Sequence, residues 1–273
     1  MLKSCLLAAA LLTGANAAMA KERPLLIGGT GASMVYAQAV ATEVHGKNPD
    51  IAASVINGLG SGGALRALAA GKFDVAISGR ELKQKEIDAG LVATPLMRTP
   101  FGFFTSYKAP VAVTSDTVWQ LYYKAGEPNA AFGNEVVRVI LRPESDSDRA
   151  YAIAHFEGME GALAQAYSLP GVMIAQTDQE NASMAEQTPN TLTTGTLLQM
   201  ISEKRTLTPL VIDGVVPSAE TVRSGAYPYA KTLYLVTRRD PDDRVARLSA
   251  FMYAPDGVQL AARLGGHVVS ATP

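Results

Sequence analysis

The sequence has 273 residues, with 24 Lys+Arg against 25 Asp+Glu and a formal net charge of −1. This balance, without any basic block, excludes the electrostatic footprint of a nucleic-acid binder. With 48% hydrophobic and 18% charged residues, the chain has the make-up of a folded globular protein with one or two cored domains.

Residues 1–20 read as a secretory signal peptide. Lys3 gives a positive start, residues 6–12 a short apolar run, and Ala18-Met19-Ala20 the small residues that a signal peptidase reads. The alternative is a buried N-terminal helix, but the run is too short to cross roughly 30 Å of hydrocarbon. Cleavage near Ala20 removes Cys5, the only cysteine. The exported chain is then expected to have no thiol or disulfide chemistry and to rely on its core.

The next hundred residues alternate strand and helix. Residues 25–27 form a short strand ending in Gly28-Gly29-Thr30-Gly31-Ala32-Ser33, followed by a helix over 33–45. A second strand over 51–56 ends in Asn57-Gly58-Leu59-Gly60-Ser61-Gly62-Gly63 and leads to a helix over 64–70. A third strand over 73–77 ends in Ser78-Gly79-Arg80, with a helix over 83–89. Alternation at this spacing implies a parallel sheet with helices on its faces. Further strands are expected over 101–107, 136–141, 172–176, 210–212 and 232–237. Helices are expected over 149–157, 159–167, 242–253 and 258–264, with Ser218 as a helix N-cap. No later stretch is long and apolar enough to be a transmembrane helix.

The three glycine- or serine-bearing strand ends are the first functional signal, because ligands of open α/β sheets bind at the carboxyl ends of strands. Gly58 to Gly63 satisfies G-x-G-x-x-G, but the following strand has Asp74 at its start rather than an acid near its end. A loop presenting backbone N–H groups to an anion, or a plain tight turn, explains the glycines better than a dinucleotide site. Thr30 to Ser33 opens a helix in the same manner, with Ser33 serving as cap, ligand contact or both. Arg80 and Arg142 are the cationic candidates, since a guanidinium grips an oxyanion through two parallel hydrogen bonds. Their alternative is an ion pair with Glu81 or Glu144. His45, His155 and His267 have no metal-ligand spacing, and no nucleophile–base motif stands out. Trp119 reads as packing. The chain is therefore read as a non-enzyme without metal or cofactor.

The chain resembles the periplasmic phosphate-binding proteins of ABC transporters and, more widely, the type 2 periplasmic binding protein fold. The resemblance covers nearly all of the chain after residue 20. Gly58 to Gly63 is similar to the family's G-x-G-S-x-G loop, and Phe73 to Leu82 to its strand ending in Ser-x-Arg. Residues 211–218, Ser224-Gly225-Ala226-Tyr227-Pro228, residues 233–236 and Ala254-Pro255-Asp256-Gly257 are similar to scaffold signatures.

The resemblance implies an α/β protein of two lobes, each a central, mostly parallel sheet flanked by helices, joined by two crossing segments. Lobe 1 would comprise residues 21–105 and 235–273, and lobe 2 residues 106–234. It implies a monomeric periplasmic solute-binding protein that delivers a small oxyanion to a membrane permease by hinge closure. Thr30, Gly31, Ala32, Ser33, Met34, Ser61, Gly62, Ser78 and Arg80 would hold the ligand from one lobe, and Arg142, Ser145 and Ser147 from the other. Where the family has a Ser-Gly-Thr donor triplet, this chain has Asp146-Ser147-Asp148. Ionised carboxylates accept hydrogen bonds and repel an anion, unless they pair with Arg142 and Arg149 or face solvent. The first loop is also shorter than the family's. The leading expectation is oxyanion binding, phosphate first. The alternatives are the same scaffold with a neutral, cationic or apolar solute, and a sensory or accessory interaction protein.

Overall fold

The structure is a computed structural model that describes residues 23–269. The signal-peptide expectation for residues 1–20 lies outside the described residues. Among those described, no helix is long and apolar enough to cross a membrane.

Two half-sheets share one long strand. Strand Leu91–Thr105 pairs through residues 91–100 with antiparallel strand Ala230–Arg238. Its last five residues, from Phe101 to Thr105, pair with antiparallel strand Thr191–Thr196. On the first side, Ala230–Arg238 continues to Val75–Ser78, then Leu25–Gly29, then Ala53–Val55, the last three mutually parallel. On the second side, Thr191–Thr196 runs parallel to Arg138–Leu141, which runs parallel to Met173–Ile174. The expected mixed α/β architecture is present. The expected lobe limits, 105/106 and 234/235, fall at the end of the shared strand and inside strand Ala230–Arg238.

Side-chain alternation gives each half-sheet a core on both faces. In the first, Leu25, Ile27 and Ile77 pack with Tyr36 and Val40 of helix Met34–Lys47 and with Leu248 of helix Asp243–Tyr253. The opposite face packs Ala76 and Val236 against Leu65 and Leu68 of helix Gly60–Ala69. In the second, Phe101 and Phe103 meet Tyr122, Phe156 and Leu163, while Phe104 points the other way onto Ile140, Ala182 and Met200. Trp119 packs at the edge of this second core, and its ring N–H donates to Asp116 O at 2.8 Å. Ser218 caps helix Ala219–Arg223, accepting from Thr221 N at 3.0 Å, as the sequence predicts.

Among the elements that differ from expectation, three concern the crossing strand and the site. The crossing strand starts at Leu91, ten residues before the predicted Phe101, although Pro95 and Pro100 disfavour a strand there. The chain accommodates Pro95 at a register shift opposite Leu233 and Tyr234. Helix Asp178–Gln187 and strand Thr191–Thr196 were not expected. Both bear on the site.

Candidate functional site

The carboxyl ends of the parallel strands of both half-sheets open onto one cleft of about 660 Å³. Five loops line it, around Thr30, Gly58 to Gly63, Arg80, Arg142 to Ser147, and Gln176 to Gln179. The first loop is held close to its neighbour: Thr30 N donates to Ile77 O at 2.8 Å, and a Cβ at Gly29 would lie 2.2 Å from that same oxygen. Gly58 and Gly60 adopt φ of +87° and +60°, which turns the chain into the first turn of helix Gly60–Ala69. Ser61 in that turn accepts Gly79 N at 2.9 Å and so ties the second loop to the third.

Of the predicted ligand-binding residues, Thr30, Gly31, Ser61, Gly62, Arg80, Arg142, Ser145 and Ser147 line the cleft. Ala32, Ser33, Met34 and Ser78 sit behind it. Ser33 is fully buried and donates from its hydroxyl to Thr30 O at 3.0 Å, making no side-chain cap bond. Met34 packs in the first core. Ser78 Oγ donates to Arg80 O at 2.6 Å and shapes the turn.

Both arginines are engaged by carboxylates: Arg142 takes Asp146, as one of the expected pairings had it, but neither Glu81 nor Glu144 supplies the carboxylate. Arg80 forms a bidentate pair with Glu86, at 2.8 and 2.7 Å, rather than with Glu81. The guanidinium holds the Glu86 carboxyl below its ordinary pKa. Arg142, at 5% exposure, donates through Nη1 to Ala175 O at 3.0 Å. Its Nη2 donates to Asp146 Oδ2 and to Asp178 Oδ1, both at 2.9 Å, and its Nε is buried without a protein partner. Burial alone would lower the arginine's pKa, but Asp178 and Asp146 outweigh it and raise it. For Asp146 burial works upward, yet the charge and hydrogen bond of Arg142 leave its pKa depressed.

Asp146 also caps helix Ser147–His155, accepting Asp148 N at 2.8 Å. Asp148 does not pair with Arg149. It is buried against Lys231, which also donates to Ser147 Oγ at 2.8 Å. Arg149 instead lies over the Tyr167 ring, 5.8 Å from its centroid.

Asp178, which the sequence reading passed over, joins the two sides. Its Oδ2 accepts Ala32 N at 2.8 Å and Thr30 Oγ1 at 3.3 Å, while its Oδ1 takes Arg142. Beside it, Gln179 Nε2 donates to Gly31 O at 2.9 Å. Burial, with the nearby Asp148 charge, pushes the Asp178 carboxyl up to about 6 against the pull of Arg142. The helix-start pattern Thr177-Asp178-Gln179-Glu180 was the available signal: a threonine followed three residues later by a glutamate. Lys231 was missed because its partners are more than eighty residues away in sequence.

Of the charged residues lining the cleft, Arg66, Arg80, Lys83, Lys85 and Arg142 are cationic and Glu86, Asp146 and Asp178 are acidic, while Lys231 and Asp148 form a buried pair outside the lining. Among the described residues, no group of three His, Cys, Asp or Glu side chains is placed to hold a metal ion.

A family model described as a PBP superfamily domain matches residues 14–256. No curated protein sequence matches the chain significantly. Among solved structures, one described as a phosphate ABC transporter substrate-binding protein with bound phosphate, from Clostridium perfringens, aligns with a TM-score of 0.78. The two are 17% identical, over 91% of this chain and 100% of that one. A high-affinity periplasmic phosphate-binding protein, bound with phosphate, aligns at 0.65 and 14% identity over 91% of each chain. An ABC-type phosphate transport receptor from Vibrio cholerae aligns at 0.64 and 14% identity, over 89% of this chain and 99% of that one. At such identities the likeness is one of fold.

Proposed function

The chain belongs to the PBP superfamily, and we propose that it is an extracytoplasmic solute-binding protein whose cleft takes a small oxyanion, phosphate first, for ABC-type uptake. Its architecture is the two-lobed type 2 periplasmic binding protein fold. The observation that carries the anion is the seat of Asp178. A carboxylate is held by Arg142 on one side and by Ala32 N and Thr30 Oγ1 on the other. Those donors converge on two oxygens of one anion, as a tetrahedral oxyanion between the lobes requires. The solved structures of the same fold that hold phosphate support phosphate as the first ligand to try. Residues 21–105 and 235–273 then act as one lobe and 106–234 as the other. The leader at 1–20 would place the protein in the periplasm, where a membrane permease would receive it as a monomer.

Calorimetric titration of the chain from residue 21 with phosphate, sulfate, molybdate and a phosphonate tests this reading. The expected result is saturable binding of at least one anion, and its loss in Arg142→Ala without loss of fold by circular dichroism. Silence with all four anions, or unchanged affinity in Arg142→Ala, would remove the assignment.

A second reading has its own observation. Asp146 and Asp178, both lining the cleft beside Arg142, accept hydrogen bonds rather than donate them, which suits a neutral or cationic solute. Mass spectrometry of solute carried through native purification separates the two readings, because the second expects an uncharged or basic compound.

A further inference from the structure

Asp178 does what a bound ligand does in a two-lobed receptor. It is a single anionic group that takes donors from both sides at once: Arg142 beyond the crossing strand, and the Thr30–Ala32 turn before it. The fit is close. A Cβ on Gly31 would stand 2.6 Å from Asp178 Oδ2 and 2.9 Å from its Cβ, so the turn admits the carboxylate only because residue 31 is glycine. Gln179 adds a bond to Gly31 O from the same helix start.

The group is nevertheless an uneasy tenant. It is buried, and Asp146 and Asp148 stand near it, against the attraction of Arg142 and Lys231. An external anion with more acceptor oxygens would make more hydrogen bonds to the same donors, while Asp178 regains solvent by swinging out.

Resting on the oxyanion reading above, we propose that Asp178 is an intramolecular competitor for the anion seat: it closes the ligand-free chain on its own side chain, and an incoming anion binds only by displacing it. A tethered competitor acts at a high effective concentration. If the self-occupied form makes up nine-tenths or more of the population, apparent anion affinity falls by about ten-fold or more. Asp178 is then a residue that sets affinity, and not a scaffold residue.

Two measurements on Asp178→Ala and the native sequence, both from residue 21, test this separately. The first is small-angle X-ray scattering without ligand, in which the variant is expected to have the larger radius of gyration. Indistinguishable profiles overturn the proposal whatever the ligand. The second is titration with inorganic phosphate, in which the variant is expected to bind about ten-fold or more tightly than the native chain. Equal or weaker binding by a folded variant overturns the proposal. If neither chain binds phosphate while the variant expands, the phosphate reading falls and the self-occupied seat stands. Asp178→Asn keeps the shape while removing the charge. It carries both readouts if the alanine variant does not accumulate as folded protein, with the same expansion and the same gain in affinity expected.

Discussion

The protonation of Asp178 has an unusual sign for a buried acid beside an arginine. Burial and Asp148 raise its pKa to about 6, above its ordinary value, so between about pH 4 and 6 the folded chain holds a proton that the unfolded chain releases. The stability this contributes is fully present below pH 4 and is lost as pH rises through 6. From the size of the shift it is on the order of 3 kcal/mol. Asp146 and Glu86 act in the opposite direction. Their folded pKa values are depressed, so their contribution is present above pH 4 and lost as pH falls further. The expected outcome is a stability maximum near pH 5 with a decline towards neutrality, and a much flatter profile over pH 5–7 in Asp178→Asn. Urea unfolding at several pH values checks this, and a native profile that rises between pH 5 and 7 would contradict it.

At the scale of elements, helix Asp178–Gln187 is what aims the carboxylate. Thr177 caps it by accepting Glu180 N at 3.1 Å, and Glu180 returns a bond by accepting Gln176 N at 2.6 Å. Thr177→Ala is expected to lower unfolding free energy by about 1 kcal/mol, read as a shift in urea midpoint at constant slope.

This helix shows why part of the site was not legible in the sequence. Its ten residues, DQENASMAEQ, bury Ala182 and Ala185 and few larger apolar groups, so hydrophobic periodicity is faint. The neighbouring strand, TLTTGT, is buried along its whole length and yet reads as a loop. Its hydroxyls are satisfied locally: Thr191 donates to Thr188 O at 2.6 Å, and Thr193 pairs with Asn181. The legible elements were those with branched apolar strands and small residues at their ends, such as Leu25–Gly29 and Val75–Ser78. The two arginines were legible as candidates by type and position. Of their partners, Asp146 was legible beside Arg142, whereas Glu86 lies one helix start beyond Arg80 and Asp178 reaches Arg142 only through folding.

At the scale of the molecule, the question is whether the two halves are one cooperative unit. Strand Leu91–Thr105 gives its first ten residues to one sheet and its last five to the other. Unfolding either half strips pairing partners from the same strand. Lys231, on strand Ala230–Arg238 of the first half-sheet, is buried at 3% exposure and binds Asp148 and Ser147 of the far half. Cooperative unfolding is usual in smaller domains and is not assured at this length, so these links carry the expectation. The single tryptophan, Trp119, packs on the second core and reports that half, whereas far-ultraviolet circular dichroism reports both. The two signals are expected to fall together in urea for the native chain.

Lys231→Met leaves Asp148 buried and uncompensated, which costs about 3–5 kcal/mol, and removes a tie between the halves. In that variant the fluorescence transition is expected to move to lower urea and to separate from the dichroism transition. Adding Asp148→Leu restores an apolar pair in place of a lone charge and is expected to recover much of the lost stability. If it recovered the coincidence of the two signals as well, the coupling would reside in the shared strand. If stability returned and the separation persisted, the coupling would reside in the Lys231–Asp148 link itself.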